Sequence, residues 1–179
     1  MLCAVRIVFL DFDGVLNARA FVERATSPTS PTSPTSPTSP TSPTSPTSTA
    51  LELLDPEAVA RAEALCVATG ASIVISSSWR ASLAVDVLER MLRAKGLQTA
   101  QVLGATPLLP HKRGRGQEIQ RWLDEAPGAP EGIVILDDEP SMLHLTPWLV
   151  ETSFETGLTD ADVEAAVRVL ERPPPIVRA

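Results

Sequence analysis

Short apolar runs alternate along this chain with stretches in which apolar residues recur every three or four positions. The short runs are rich in β-branched residues, which is typical of buried strands. They predict five strands, at residues 5–10, 72–76, 99–103, 133–136 and 149–152. Because strands and helices alternate, we expect an α/β fold, a doubly wound parallel sheet with helices on both faces.

The helical stretches carry start and stop signals. Asp55 followed by Pro56 predicts a capped first turn, and Gly70 predicts the end of that helix near residue 69. Thr159, with Asp162 three residues later, predicts the capped start of the last helix. Two more helices are predicted from apolar faces, one formed by Leu83, Val87, Leu88, Met91 and Leu92 and ending at Gly96, the other formed by Ile119, Trp122 and Leu123.

A low-complexity segment, residues 26–49, interrupts this pattern after the first strand. It repeats Thr-Ser-Pro, with a proline at every third position through residue 46. Such a sequence cannot contribute to a core, so we predict a disordered, locally extended loop. Its Ser-Pro and Thr-Pro pairs resemble phosphorylation targets, but an inert insertion that grew by repeat expansion is the simpler interpretation. Residues 1–172 otherwise form one predicted domain, followed by a tail at 173–179.

The composition narrows the classes of function. A net charge of −7 over 179 residues is wrong for a protein that coats nucleic acid. The cysteines, Cys3 and Cys66, are far apart and form no metal pattern or disulfide framework, which favours a reducing cytoplasm. No apolar stretch approaches the roughly 20 residues of a membrane span, and the N-terminus lacks the features of a signal peptide. We therefore expect a soluble cytoplasmic protein without membrane association.

Acidic residues follow two of the predicted strands. Asp11 and Asp13 come directly after the first strand, and Asp137 and Asp138 come directly after the fourth. Ligands of open α/β sheets bind at the carboxyl ends of the strands, so these carboxylates are expected to meet. Ionised carboxylates repel one another unless a cation is present, and Mg²⁺ prefers oxygen ligands. The pattern therefore predicts a magnesium site.

Polar and basic residues follow the second strand and precede a later helix. The sequence Ser-Ser-Ser-Trp-Arg occupies residues 76–80, and Lys-Arg-Gly-Arg-Gly occupies residues 112–116. Arg80 is predicted either to bind a substrate phosphate or to pair with a nearby carboxylate. Trp79 fits core packing better than stacking on a base. His111 and His144 share no metal-ligand spacing, and we interpret both as structural or exposed.

The order of these motifs resembles that of the haloacid-dehalogenase-like (HAD) phosphohydrolases. The sequence Asp-Phe-Asp-Gly-Val-Leu at 11–16 is similar to their first motif, and the apolar strand that ends at Ser76 is similar to their second. Arg115 entering a helix resembles the third motif, where most members have lysine. Ile-Leu-Asp-Asp at 135–138 resembles the fourth. Together with Gly-Leu-Thr at 157–159, these motifs resemble the subgroup found in Swiss Army Knife RNA-repair proteins.

The resemblance implies a role for each catalytic candidate. Asp11 would attack phosphorus and form an aspartyl-phosphate. Asp13 would protonate the leaving group and later activate water. Ser76 would hydrogen-bond a phosphate oxygen, and Arg115 would balance the charge of the phosphoryl group.

The resemblance also implies a ligand set and substrate contacts. Mg²⁺ would be held by Asp11, Asp137, Asp138 and the backbone carbonyl of Asp13. Two assignments stay open, since Ser77 could replace Ser76, and Arg113 or Lys112 could replace Arg115. The predicted substrate-binding residues are Gly14, Ser77, Arg80 and Arg113.

The two places where this superfamily carries cap modules hold little that could fold into one. The first holds the repeat, and the second holds about one helix, one strand and a loop, so we expect a capless core with an open pocket. An open pocket suits a large substrate, which favours a phosphatase for terminal phosphates of RNA or DNA. The alternatives are a small-molecule or nucleotide monophosphatase and, from another class, a non-catalytic phosphate-binding module.

Overall fold

The strands form one parallel sheet. The structure is a computed structural model that describes residues 5–26, 46–109 and 114–175. The sheet order in this part of the chain is β3-β2-β1-β4-β5, and every neighbouring pair is parallel. The strands are β1 (Arg6–Leu10), β2 (Ser72–Ile75), β3 (Val102–Ala105), β4 (Gly132–Asp137) and β5 (Leu149–Glu151).

Four of the strands lie within one residue of their predicted bounds, but the prediction for β3 was wrong by several residues. The backbone N–H groups of Gln98, Thr99 and Ala100 donate to the carboxylate of Glu63 at 2.6–3.2 Å. These groups are therefore turned away from the sheet. Pairing with β2 begins only afterwards, at Val102.

The helices agree with most of the predicted boundary signals. The long helices are α3 (Pro56–Thr69), α4 (Val85–Ala94), α5 (Arg115–Glu125) and α6 (Asp160–Leu170). Asp55 caps α3 by accepting from the Glu57 N–H at 2.9 Å, and Gly70 ends it in the left-handed conformation. Thr159 and Asp162 form the expected capping box of α6. Leu83 precedes α4, because a 3₁₀ turn at Ser78–Ala81 takes up the chain after β2.

Helices extend into both ends of the segment 26–49 that was predicted to be a disordered loop. Thr26 is the last residue of a helix, α1 (Arg19–Thr26), and Pro46 opens another, α2 (Pro46–Glu52). Proline is tolerated in the first turn of a helix, where its missing N–H has no helical partner. Ala50 and Leu51 then pack against the core and stabilise α2. The repeat between these helices lies outside the described residues.

Apolar side chains cover both faces of the sheet. One face packs against α3, α4 and α6 through a large cluster that includes Val8, Ile73 and Leu136. The other packs against α5 and a 3₁₀ turn at Leu143–Trp148 through a smaller cluster around Phe9. The predicted layers are therefore confirmed. Cys66 lies in the larger cluster, where burial raises the pKa of its thiol to about 12.

No helix in the described ranges is long and apolar enough to cross a membrane. The chain after β1 goes to β2 on one side, and the chain reaching β4 lies on the other side of β1. The order of the strands therefore reverses between β1 and β4. Such a reversal leaves a crevice at the carboxyl ends of the two strands.

Candidate active site

The acidic residues meet at this crevice. Asp11 follows β1 directly, and Asp137 is the last residue of β4. The Asp11 N–H donates to the carbonyl of Leu136 at 3.1 Å, which ties the two strand ends together. Carboxylate oxygens of Asp11, Asp137 and Asp138 lie within 4.8 Å of one another. Asp11 and Asp137 are buried, whereas Asp138 is half-buried.

Arg115 supplies a positive charge to this carboxylate cluster. Its Nη1 lies 2.5 Å from Oδ2 of Asp11 and 2.8 Å from Oδ2 of Asp137. Arg115 opens α5, and the next residue, Gly116, lets the helix approach the backbone of Met142. A Cβ at position 116 would lie 2.6 Å from the Met142 carbonyl oxygen. The small residue therefore places Arg115 close to the strand ends.

One guanidinium does not neutralise three carboxylates. Burial, followed by the charge of Asp11, raises the pKa of Asp137 to about 7. The same two causes raise the pKa of Asp138. Three clustered oxygen donors with unbalanced negative charge fit a hard divalent cation such as Mg²⁺.

The side chain of Asp13 points to a different set of partners. Asn17 Nδ2 donates to its Oδ1 at 2.7 Å, and Trp79 Nε1 lies 3.0 Å from both of its oxygens. Ser78 Oγ adds a longer contact of 3.4 Å. Asp13 is not part of the carboxylate cluster, so its predicted metal contact through the backbone carbonyl stays a prediction. The two motif aspartates are thus separated into two environments.

The two candidate serines differ in their contacts. Both are fully buried at the end of β2. Ser76 Oγ has no hydrogen-bond partner in the described structure. Ser77 Oγ instead accepts from the Trp79 N–H at 3.4 Å and caps the 3₁₀ turn. Because a buried hydroxyl normally has a partner, Ser76 is the better candidate for contacting a bound oxygen.

Arg80 forms the ion pair that the sequence left open. Its guanidinium pairs with Glu118 on α5 and donates to the carbonyls of Ser76 and Ser77. Its Nε donates to the Thr106 carbonyl at 3.0 Å. The Arg80 side chain is only 4% exposed, so these contacts do not support the predicted binding of a substrate phosphate.

The remaining residues considered in the sequence are Lys112, Arg113, Gly14 and the two histidines. Arg113, Lys112 and His111 lie outside the described residues. Among the candidates for the third motif, Arg115 is the one whose contacts the structure describes. His144 is exposed and contacts Gln120, as expected for a surface residue. Gly14 lies beside Asp138, and its predicted contact with substrate stays a prediction.

Sequence reasoning missed the partners of Asp13. Asn17, which directly follows the first motif, was given no role, and Trp79 was interpreted as a core residue. Trp79 does contact Phe12, with ring centroids 5.4 Å apart, but its N–H faces Asp13. A polar residue at the end of an apolar motif was the available signal for Asn17. No local pattern identifies the acceptor of a tryptophan N–H.

The turn after β1 requires glycine at position 14. Gly14 has φ of +68°, and a Cβ there would lie 2.4 Å from Cγ of Asp138. We expect Gly14→Ala to lower the free energy of unfolding and to displace Asp138, which weakens Mg²⁺ binding. Gly70→Ala is the matched control, because Gly70 has the same φ and nothing within 4 Å of its Cβ position.

Thermal denaturation and Mg²⁺ titration of both variants separate the two effects. The left-handed backbone costs about 1 kcal/mol in each variant. The contact with Asp138 adds a loss of stability and of Mg²⁺ affinity in Gly14→Ala alone. Equal behaviour of the two variants would contradict the placement of Asp138.

The fold and this site define a haloacid-dehalogenase-like domain with a candidate acidic catalytic cluster. The chain matches the family described as "HAD domain in Swiss Army Knife RNA repair proteins" over residues 7–163. It therefore belongs to that family. Searches of curated proteins and of solved structures found no match.

Proposed function

We propose that the chain is a magnesium-dependent phosphatase that works through an aspartyl-phosphate on Asp11 and acts on terminal phosphates of RNA. The observation that carries this proposal is the separation of the two motif aspartates. Asp11 is buried against Arg115 in the carboxylate cluster, whereas Asp13 is held by neutral donors outside it. A nucleophile and an acid–base group need these two environments.

The first step transfers the phosphoryl group to the protein. A carboxylate oxygen of Asp11 attacks phosphorus, and the bond from phosphorus to the leaving oxygen breaks. Asp13, in its protonated form, gives its proton to that oxygen, so the leaving group departs as an alcohol. Arg115 and the Ser76 hydroxyl stabilise the charge on the non-bridging oxygens.

The second step regenerates the protein. Asp13, now ionised, takes a proton from water, and the resulting oxygen attacks phosphorus. The bond between phosphorus and the Asp11 oxygen breaks, which releases inorganic phosphate and the free Asp11 carboxylate. No other reactant is required.

Asp11, Asp137 and Asp138 would hold the cation. When bound, Mg²⁺ supplies positive charge that offsets the repulsion between these carboxylates and the phosphate. The protein's own part is to fix three oxygen ligands at the ends of two adjacent strands. The residues of β4 that precede Asp137 are fully buried, which makes the position of this ligand rigid.

The family supports a substrate that carries a phosphate at the end of an RNA, and a capless core would leave room for it. A nucleotide monophosphatase is the second candidate, because a net charge of −7 does not favour a long polyanion. The cysteine pattern favours a reducing compartment, so we also propose that the protein acts in the cytoplasm. A non-catalytic phosphate-binding module would not need the two separated aspartates.

Phosphate release from matched substrates tests the proposal. The panel consists of RNA oligonucleotides with a 5′- or 3′-phosphate, the corresponding mononucleotides and p-nitrophenyl phosphate, each with Mg²⁺. We expect release from all three kinds of substrate, with the highest kcat/KM for the oligonucleotides. Higher kcat/KM for mononucleotides would favour the second candidate, and no release from any substrate would refute the enzyme.

The unpartnered hydroxyl of Ser76 gives a further prediction. Ser76→Ala should lower kcat/KM by about 10²-fold, because it removes a donor to the phosphoryl oxygens. It should leave the free energy of unfolding nearly unchanged, because no hydrogen bond is lost. Ser77→Ala is the matched control. It should lower stability by about 1 kcal/mol through loss of a cap and affect kcat/KM less.

Steady-state kinetics and thermal denaturation of the two variants check this prediction. The reverse outcome, with the larger kinetic loss in Ser77→Ala, would assign the phosphate contact to Ser77.

A further inference from the structure

A groove of about 370 Å³ adjoins the carboxylate of Asp13. One wall is the 3₁₀ turn after β2 with the chain that follows it, and the other is α2. Its volume falls within the range of about 300–1,000 Å³ that is usual for small-molecule sites. The lining residues are Asp13, Ala50, Ser78, Trp79, Ser82 and Leu83.

We propose that this groove binds the leaving group of the substrate and that the group it fits is a nucleoside. The inference rests on the proposed phosphatase function, because it takes Asp13 as the acid. The acid must lie next to the leaving oxygen, so the atoms attached to that oxygen must lie next to Asp13. Asp13 is one of the residues that line this groove.

The position of Asp13 at this groove is fixed. Trp79 Nε1 lies 3.0 Å from both Asp13 oxygens, and the indole ring is in turn held edge-to-face against Phe12. Asn17 donates to the same carboxylate at 2.7 Å. These contacts hold the carboxylate of Asp13 in place at the groove that it lines.

The chemistry of the lining selects the occupant. Trp79, Leu83 and Ala50 offer apolar surface to a flat ring, and an indole can stack on any base. Ser78 and Ser82 are exposed and offer hydroxyl groups to a sugar or a base edge. Among the described lining residues none is a cation. The groove therefore fits an uncharged group with a ring and hydroxyls, and not a second phosphate.

Ala50 is the residue at which the groove can be filled without touching the reacting groups. Ala50→Phe adds a ring to the α2 wall, and Ala94→Phe is its matched control. Ala94 is exposed and lines a second groove, which lies between α4 and Leu51 of α2 and does not include Asp13. Thermal denaturation shows whether each variant is folded, and Ala50→Leu provides a smaller filling change if the phenylalanine variant does not fold.

The experiment compares kcat/KM for three substrates that differ in the leaving group. Acetyl phosphate has a small leaving group, a nucleoside 5′- or 3′-monophosphate carries one nucleoside, and a phosphorylated dinucleotide carries a nucleoside followed by a charged linkage. We expect Ala50→Phe to lower the ratio of nucleoside to acetyl kcat/KM at least about tenfold, a size typical of steric discrimination in a pocket. We expect Ala94→Phe to leave that ratio unchanged.

Each outcome decides between the claims. A fall in the ratio for both nucleotides supports a nucleoside site, whether the nucleoside is free or ends a chain. An unchanged ratio of nucleoside to acetyl kcat/KM in folded Ala50→Phe or Ala50→Leu overturns the claim that the groove binds the leaving group. It leaves the proposed phosphatase function intact. A wild-type protein that hydrolyses acetyl phosphate but no nucleotide also overturns it. Failure to hydrolyse any of the three substrates overturns the proposed function itself.

Discussion

Replacing Asp11 by asparagine should reduce turnover by at least about a thousandfold, since loss of a nucleophile normally removes several orders of magnitude. An amide cannot form the acyl-phosphate, yet it has nearly the same shape as the carboxylate. Asp11 is 2% exposed and lies 2.5 Å from Arg115. Single-turnover phosphate release from p-nitrophenyl phosphate measures the loss.

Asp86→Asn is the matched control for this substitution. Asp86 is exposed on α4, pairs with Arg90 at 2.7 Å and does not belong to the carboxylate cluster. We expect its turnover to equal that of the wild type. Acid quenching followed by detection of protein-bound phosphate should show the intermediate in wild type and not in Asp11→Asn. Retention of more than about a tenth of the activity in Asp11→Asn would exclude Asp11 as the nucleophile.

Removal of divalent cations should abolish turnover, and Mg²⁺ should restore it. The reason is the cluster of Asp11, Asp137 and Asp138, whose carboxylates would face a phosphate dianion, with Arg115 the one cation that pairs with them among the described residues. Activity measured after exhaustive chelation, and again after adding back Mg²⁺, Ca²⁺ or Zn²⁺ separately, tests the expectation. Full activity after chelation, or recovery with Zn²⁺ alone, would refute it.

The same cluster makes a prediction for stability. The pKa of Asp137 is raised from 3.8 to about 7 by burial and by Asp11, so the native state holds this proton more tightly than the unfolded chain. The cation-free protein should therefore lose stability as the pH rises from 3.8 to about 7. Saturating Mg²⁺ should oppose that loss, because it binds the ionised native cluster. Melting temperatures across this range, with and without Mg²⁺, check both statements.

The sequence predicted most of the sheet because buried strands leave a strong local signal. Four strands were placed within one residue, and the caps at Asp55 and Thr159 have the expected partners. The third strand was misplaced because its predicted start is bound by Glu63, a residue of a distant helix. Contacts of that kind have no signature within a short window.

The candidate site was predictable to the same extent. Carboxylates after two strands of one parallel sheet had to lie at the same edge, so the cluster of Asp11, Asp137 and Asp138 follows from order alone. The orientation of Asp13 does not, because it depends on Trp79 and Asn17 approaching from outside the sheet. The helix α2 was also not predicted, because the residues of its first turn are the same residue types as those of the Thr-Ser-Pro repeat.

Arg80 has a consequence for how far this domain can be altered. Its single guanidinium joins the carbonyls of Ser76 and Ser77 to Glu118, on the helix that begins with Arg115. Arg80 therefore holds the end of β2 and the start of α5, which would bind the phosphate, in a fixed relative position. To change the specificity of the domain, Arg80 should be kept and residues of α2 should be substituted instead. The helix α2 is a wall of the proposed leaving-group groove and supplies none of these contacts with Arg80.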